Sequence, residues 1–202
     1  VDDLGFLNSL LDTMISKYNI DTNRIYVFGF SFGAFMSHRL AAELNHRVTA
    51  AAAVSGLVGN KMTAIPARGI PILYFHGTAD ATINYFNCPY GLLPPKTVDF
   101  WVKNNLCDTM PLIDTVPNTA NDGRYLIHHT YPNGRDNSVV EFYKVINGEH
   151  EWLGLPDNDI SYCQTIWKFF RPYTLAKEVS TPIRSNVLLQ IRPYPNPTSS
   201  LI

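Results

Sequence analysis

The chain has 202 residues, 46% of them apolar and 16% charged, with a formal net charge of −1. That balance suits one domain with a sizeable core, excludes an intrinsically disordered chain, and offers no basic field to nucleic acid or an anionic membrane surface. No apolar run approaches the roughly 18 residues that span a bilayer, the densest being residues 50–54.

Residues 1–18 place Leu4, Leu7, Leu11, Met14, Ile15 and Tyr18 on one face of an amphipathic helix, with Asp2 and Asp3 in its first turn. A turn over residues 20–23 leads to residues 24–28, a β-branched and aromatic run that predicts a buried strand ended by Gly29. A helical pattern resumes over residues 34–45. Two short apolar runs, residues 50–54 and 70–75, read as strands, and residues 96–106 as a helix. Residues 124–131 and 139–146 are strand-like and flank Pro132-Asn133-Gly134, a turn signal that predicts an antiparallel or near-adjacent pair. Ile160, Cys163, Trp167 and Phe170 share a helical stripe that stops near Pro172. The order predicts an α/β fold with a largely parallel sheet flanked by helices. The chain starts at Val1 inside a helical pattern and stops soon after Tyr194-Pro195-Asn196-Pro197, so both ends are expected to be cuts in a longer protein.

The sharpest local signal is Gly29-Phe30-Ser31-Phe32-Gly33. A serine hydroxyl is a poor nucleophile unless it is exposed, held still and next to a base. A strand turning abruptly into a helix projects such a serine, and the tightness of the turn explains a glycine on each side. The helix start frees backbone N–H groups, so the N–H of Phe32 is the candidate oxyanion donor. A random chain of this length would hold the pattern only about 0.07 times.

A nucleophile of this kind needs a carboxylate and then a histidine further along the chain. Asp80 lies just past an apolar strand, at the rim where parallel sheets build ligand sites. His150 follows the strand 139–146 and the turn Asn147-Gly148. His38, His46, His76, His128 and His129 read as structural; His128 and His129 are adjacent in a strand and face opposite sides. In the resulting scheme Ser31 is nucleophile, His150 base and Asp80 acid. Phe30 and Trp152 are candidate pocket residues, Trp152 reading equally as a core side chain. Cys88, Cys107 and Cys163 match no zinc pattern, and neither a metal nor a cofactor is expected.

GFSFG, FHGTAD, NGEHEW and a helix reading IWKFF, in that order and spacing, resemble the secreted polyhydroxybutyrate depolymerase and feruloyl esterase group of α/β-hydrolases over residues 1–172. The resemblance implies the same three catalytic residues, Ser31, Asp80 and His150. It also implies an N-terminally truncated catalytic domain over residues 1–175, because the superfamily's sheet normally has eight strands with the nucleophile on the fifth. The second oxyanion donor, and the strand beside residues 24–28, would then lie outside this chain. Glu149 stands where the group usually has a second glycine, and Leu153 where a proline commonly follows the tryptophan. Cys107 sits where relatives carry a cysteine, with Cys88 its nearest partner here.

Residues 176–190 read as a linker. Residues 188–200, LLQIRPYPNPTSS, are similar to the opening of the C-terminal sorting domain of type IX secretion cargo in Bacteroidetes, which places the start of such a domain over residues 191–202. That implies secretion-machinery contact and a secreted or cell-surface location. The expected activity is a serine carboxylic-ester hydrolase acting on feruloyl or acetyl esters of plant polysaccharide, with an ester-bearing polymer or small ester as partner. A poly(3-hydroxybutyrate) depolymerase is the nearest alternative. A prolyl-oligopeptidase-type peptidase fits HGTAD and EHEW less well, and the intact trio argues against a non-catalytic binding protein.

Overall fold

Strands buried on both faces read as continuous apolar runs, and two such runs set the middle of the sheet. In the computed structural model, which describes residues 2–175, they are β2 (Ala50–Val54) and β3 (Ile72–Gly77), buried at every position. Their side chains alternate between two cores. Ala51, Ala53, Ile72 and Tyr74 pack with Ala34, Val98 and Trp101, whereas Ala50, Ala52, Leu73 and Phe75 pack with Tyr162, Ile166 and Phe170. The first core lies under α2 (Phe32–Glu43) and α3 (Pro94–Asn105), the second under α4 (Tyr162–Phe170). The alanine run of β2 is small enough to let α2 approach closely.

Within the described residues the sheet has six strands, in the order β1 (Tyr26–Phe30), β2, β3, β6 (Val140–Ile146), β5 (Tyr125–Tyr131), β4 (Leu112–Thr115). The first four run parallel, and β5 is antiparallel to both β6 and β4. The expected antiparallel pair is therefore present, in a mixed sheet. β1 stands at one edge of the described sheet. α1 (Asp3–Lys17) is capped by Asp2, whose carboxylate accepts from Gly5 N–H at 2.9 Å. It lies on the surface with no residue fully buried, tied down by Arg47 to Asn8 and to Asp12.

Three sequence expectations change. Gly29 does not end its strand: it pairs with Ala53, and Phe30 with Val54, so β1 runs up to Ser31 and the helix starts at Phe32. β4 is an addition. Its four residues are all exposed and include Asp114, so they carry no burial pattern to read. Cys88, the nearest alternative partner for Cys107, is not bonded to it, and all three cysteines are free thiols. Burial pushes the Cys107 thiol up to about 11, as for an inert packed cysteine. The linker at 176–190 and the sorting-like tail at 191–202 lie outside the described residues.

His38 is a polar side chain buried beside the first core, with one ring nitrogen hydrogen-bonded and the other, Nε2, without a partner among the described residues. It is fully buried on α2, and its Nδ1 accepts from the Trp101 indole N–H at 3.0 Å. Burial lowers its pKa from 6.5 to about 3. Between those values the unfolded chain binds a proton that the folded chain refuses, so this contribution is complete above pH 6.5 and is lost on acidification. One such proton changes stability by about 1.4 kcal/mol per pH unit. Denaturant unfolding at pH 7, 5 and 4 is expected to show a slope shallower by that one proton in His38→Gln; equal slopes would assign the acid sensitivity elsewhere.

Candidate active site

β1, β3 and β6 are parallel, so their C-terminal ends open onto one rim of the sheet. Ser31 follows β1 directly, Asp80 lies three residues past β3 and His150 four past β6. Ser31 has φ 57° and ψ −123°, a left-handed backbone held at a strand-to-helix corner. The corner is fixed by its N–H donating to Val54 O at 2.9 Å and by its carbonyl accepting from Ala34 N–H at 2.9 Å. A Cβ on Gly29 would sit 2.2 Å from the Gly33 carbonyl, so glycine is obligatory there. Gly33 itself differs from expectation, because a Cβ there would meet nothing within 4 Å. Phe32 is the first helical residue, so its N–H has no intrahelical partner, as an oxyanion donor requires.

Asp80 is fully buried. Its Oδ1 accepts from Thr82 N–H at 2.9 Å and Ile83 N–H at 2.8 Å, which aims Oδ2 at His150 Nδ1, 2.8 Å away. The two loops carrying this pair are fastened together. Ala79 N–H donates to Gly148 O at 2.9 Å and Asn147 N–H to Thr78 Oγ1 at 2.9 Å. Gly77 lies so close to Gly148 that a Cβ would be 2.2 Å from its carbonyl oxygen. The Phe30 ring packs on the His150 imidazole, centroids 4.7 Å apart, which brings the base against the residue preceding Ser31. Asp80 and His150 are thus joined directly. Among the described residues Ser31 Oγ makes no hydrogen bond to His150; the two meet through Phe30.

Trp152 bridges β1 and α4, edge-on to Phe30 at 6.2 Å and to Tyr162 at 5.6 Å. It is about one-third exposed and packs beside Phe30. Both departures from the group's pattern find places. Glu149 is exposed, and Leu153 is buried in the core under α4. Of the other histidines, His76 and His38 are buried, His128 lies between Asp114 and Glu141 on the Tyr143 ring, His129 stacks on Phe142 and His46 is exposed.

Sequence reasoning missed the clamp on the His150 loop. Arg124, just before β5, makes a two-pronged bond to Glu151, Nε–Oε1 2.7 Å and Nη2–Oε2 2.8 Å. Glu151 Oε1 also accepts from Glu149 N–H at 2.9 Å, so the carboxylate gathers the backbone on one side of the base. The partners are 27 residues apart, and an isolated Glu beside a histidine signals no pairing. Arg124→Ala is expected to lower kcat by about 10-fold through loosening of this loop, and Arg124→Lys to recover only part, because an ammonium cannot reproduce the planar fork. Steady-state kinetics on a small ester checks both.

A cleft of about 560 Å³ runs along α2 from Phe32 to Glu43, lined by Phe35, Met36 and Met62 and by the charged side chains of Asp3, Arg39, Glu43 and Lys61.

Comparison with known proteins bears on the fold. Among solved structures, the acetyl xylan esterase from Aspergillus awamori superposes with a TM-score of 0.60 over 83% of this chain and 66% of its own, at 17% identity. The fold is that of an α/β-hydrolase. A family model described as phospholipase/carboxylesterase matches residues 3–89 of this chain, from α1 past Asp80. A bifunctional acetylxylan esterase/xylanase of Neocallimastix patriciarum is 36% identical over 84 residues, 41% of this chain and 12% of that protein. Feruloyl esterase D of Neurospora crassa is 31% identical over 108 residues, 52% of this chain and 34% of that protein. The chain therefore spans about a third or less of these two curated relatives. No described helix is long and apolar enough to cross a membrane.

Proposed function

We propose that Ser31, His150 and Asp80 act as nucleophile, base and acid, and that the whole protein hydrolyses carboxylic esters through an acyl-enzyme. The observation that carries the reading is the 2.8 Å contact of His150 Nδ1 with buried Asp80, on the rim that also bears the strained Ser31 corner. A carboxylate facing Nδ1 holds the proton there and leaves Nε2 as the acceptor. Nε2 takes the Ser31 proton as Oγ attacks the ester carbonyl. The oxyanion is met by the N–H of Phe32. His150 then returns the proton to the leaving alcohol, and water releases the acid by the same steps.

The substrate class is feruloyl or acetyl esters of plant polysaccharide. The names of the relatives support it; the cleft that starts at Phe32 offers Phe35, Met36 and Met62 to an acyl group, next to the charged Asp3, Arg39, Glu43 and Lys61. Phe30 and Trp152 are read as the opposite wall. Export through a type IX sorting signal rests on the residues 191–202 alone. The test uses the whole protein on methyl ferulate, acetylated xylan and poly(3-hydroxybutyrate). Cleavage of the first or second is expected. Cleavage of the polyester alone would transfer the reading to a depolymerase, and inertness toward all three would overturn ester hydrolysis.

A further inference from the structure

Asp80 works only if its two oxygens face two different ways, and a second histidine fixes how. His76, near the end of β3, is 1% exposed. Its Nε2 lies 2.8 Å from Ile83 O. A carbonyl can only accept, so Nε2 carries the proton. Nδ1 is then an acceptor, and the Tyr74 hydroxyl 2.7 Å away donates to it. Both ring nitrogens are thereby satisfied with the imidazole neutral, the form that burial favours. Ile83, whose carbonyl His76 grips, is the residue whose N–H donates to Asp80 Oδ1 at 2.8 Å. His76 Nε2 also lies 3.7 Å from Asp80 Oδ2, the oxygen that serves His150.

We propose that His76 is a positioning residue for the active site: through the Ile83 peptide it locks the Asp80 carboxylate in the rotation that presents Oδ2 to His150. The chain of contacts runs Tyr74, His76, Ile83, Asp80, His150, and its first three members touch no reacting atom. Removing the imidazole leaves the Ile83 carbonyl buried without a donor and frees the turn 80–83 to rotate. The role rests on the triad reading above, in which Asp80 matters because it orients the base.

The test pairs kinetics with a spectroscopic signal that does not depend on turnover. The Nδ1 proton of His150, shared with Asp80, is expected as a far-downfield proton resonance that disappears in His150→Ala. In His76→Leu that resonance should be lost or broadened, and kcat for a small ester should fall by about 10- to 100-fold with KM nearly unchanged. His76→Gln, which can donate to Ile83 O and accept from Tyr74, should restore both. Tyr74→Phe removes one hydroxyl with little change of volume, so it tests the same chain if His76→Leu fails to fold; a weakened resonance and a few-fold lower kcat are expected. A sharp His150 resonance with unchanged kcat in folded His76→Leu overturns the proposal, as does an unmoved resonance in Tyr74→Phe. Failure of the triad reading is distinguishable, because activity would then survive Ser31→Ala while the resonance still reports whether His76 governs the Asp80–His150 contact.

Discussion

Replacing Ser31 with alanine is expected to lower kcat for ester hydrolysis by at least about 10⁴-fold with little change in KM. In the proposed mechanism the serine hydroxyl supplies the attacking atom, and it makes no cap bond of its own, so its loss should remove chemistry and leave the corner standing. What holds the corner is backbone: Ser31 N–H on Val54 O, Ala34 N–H on Ser31 O, and the close approach of Gly29 to Gly33. Alanine at φ 57° is as strained as serine, so the thermal midpoint should move by no more than a few degrees. His150→Ala should cost a similar factor, and the double variant hardly more than either single one, because a nucleophile and its base act as one unit. Multiplicative losses would mean that the two residues serve separate steps. Full activity in Ser31→Ala would remove Ser31 from the reaction.

Much of this site was legible because it is built from strand ends. Residues 50–54 and 70–75 announce buried strands by composition, and a parallel sheet places functional groups at their C-terminal rim. The order Ser31, Asp80, His150 then follows from the topology. The pieces that escaped reading are held by long-range pairing. β4 exists through its register with β5, where Asp114 faces His128, and an isolated exposed tetrapeptide carries no such information. Arg124 and Glu151 meet only after β5 and β6 have paired. The extension of β1 through Gly29 has the same origin: glycine disfavours a strand locally, and pairing with Ala53 overrides it. Gly33 marks the opposite error, since it is part of a motif but meets no steric need at its own Cβ.

Asp80→Asn is expected to lower kcat by about 10⁴-fold without unfolding the protein. An asparagine oxygen can still accept from Thr82 and Ile83 N–H, so the turn survives. Its amide nitrogen then faces His150 Nδ1, where the carboxylate oxygen stood. An amide N–H is a donor, so Nδ1 must become the acceptor and the ring proton moves to Nε2. The nitrogen that should receive the Ser31 proton is thereby occupied. Asp80→Ala separates this electronic effect from a structural one. It leaves two buried N–H groups without an acceptor, each costing about 1–3 kcal/mol, so it should lose stability as well as activity. Thermal unfolding and kcat measured on both variants give the comparison: a normal midpoint with collapsed kcat in Asp80→Asn, and both lowered in Asp80→Ala. If Asp80→Asn keeps kcat within about 10-fold, the tautomer of His150 is not set at Oδ2, and the burial of Asp80 between two loops is structural alone.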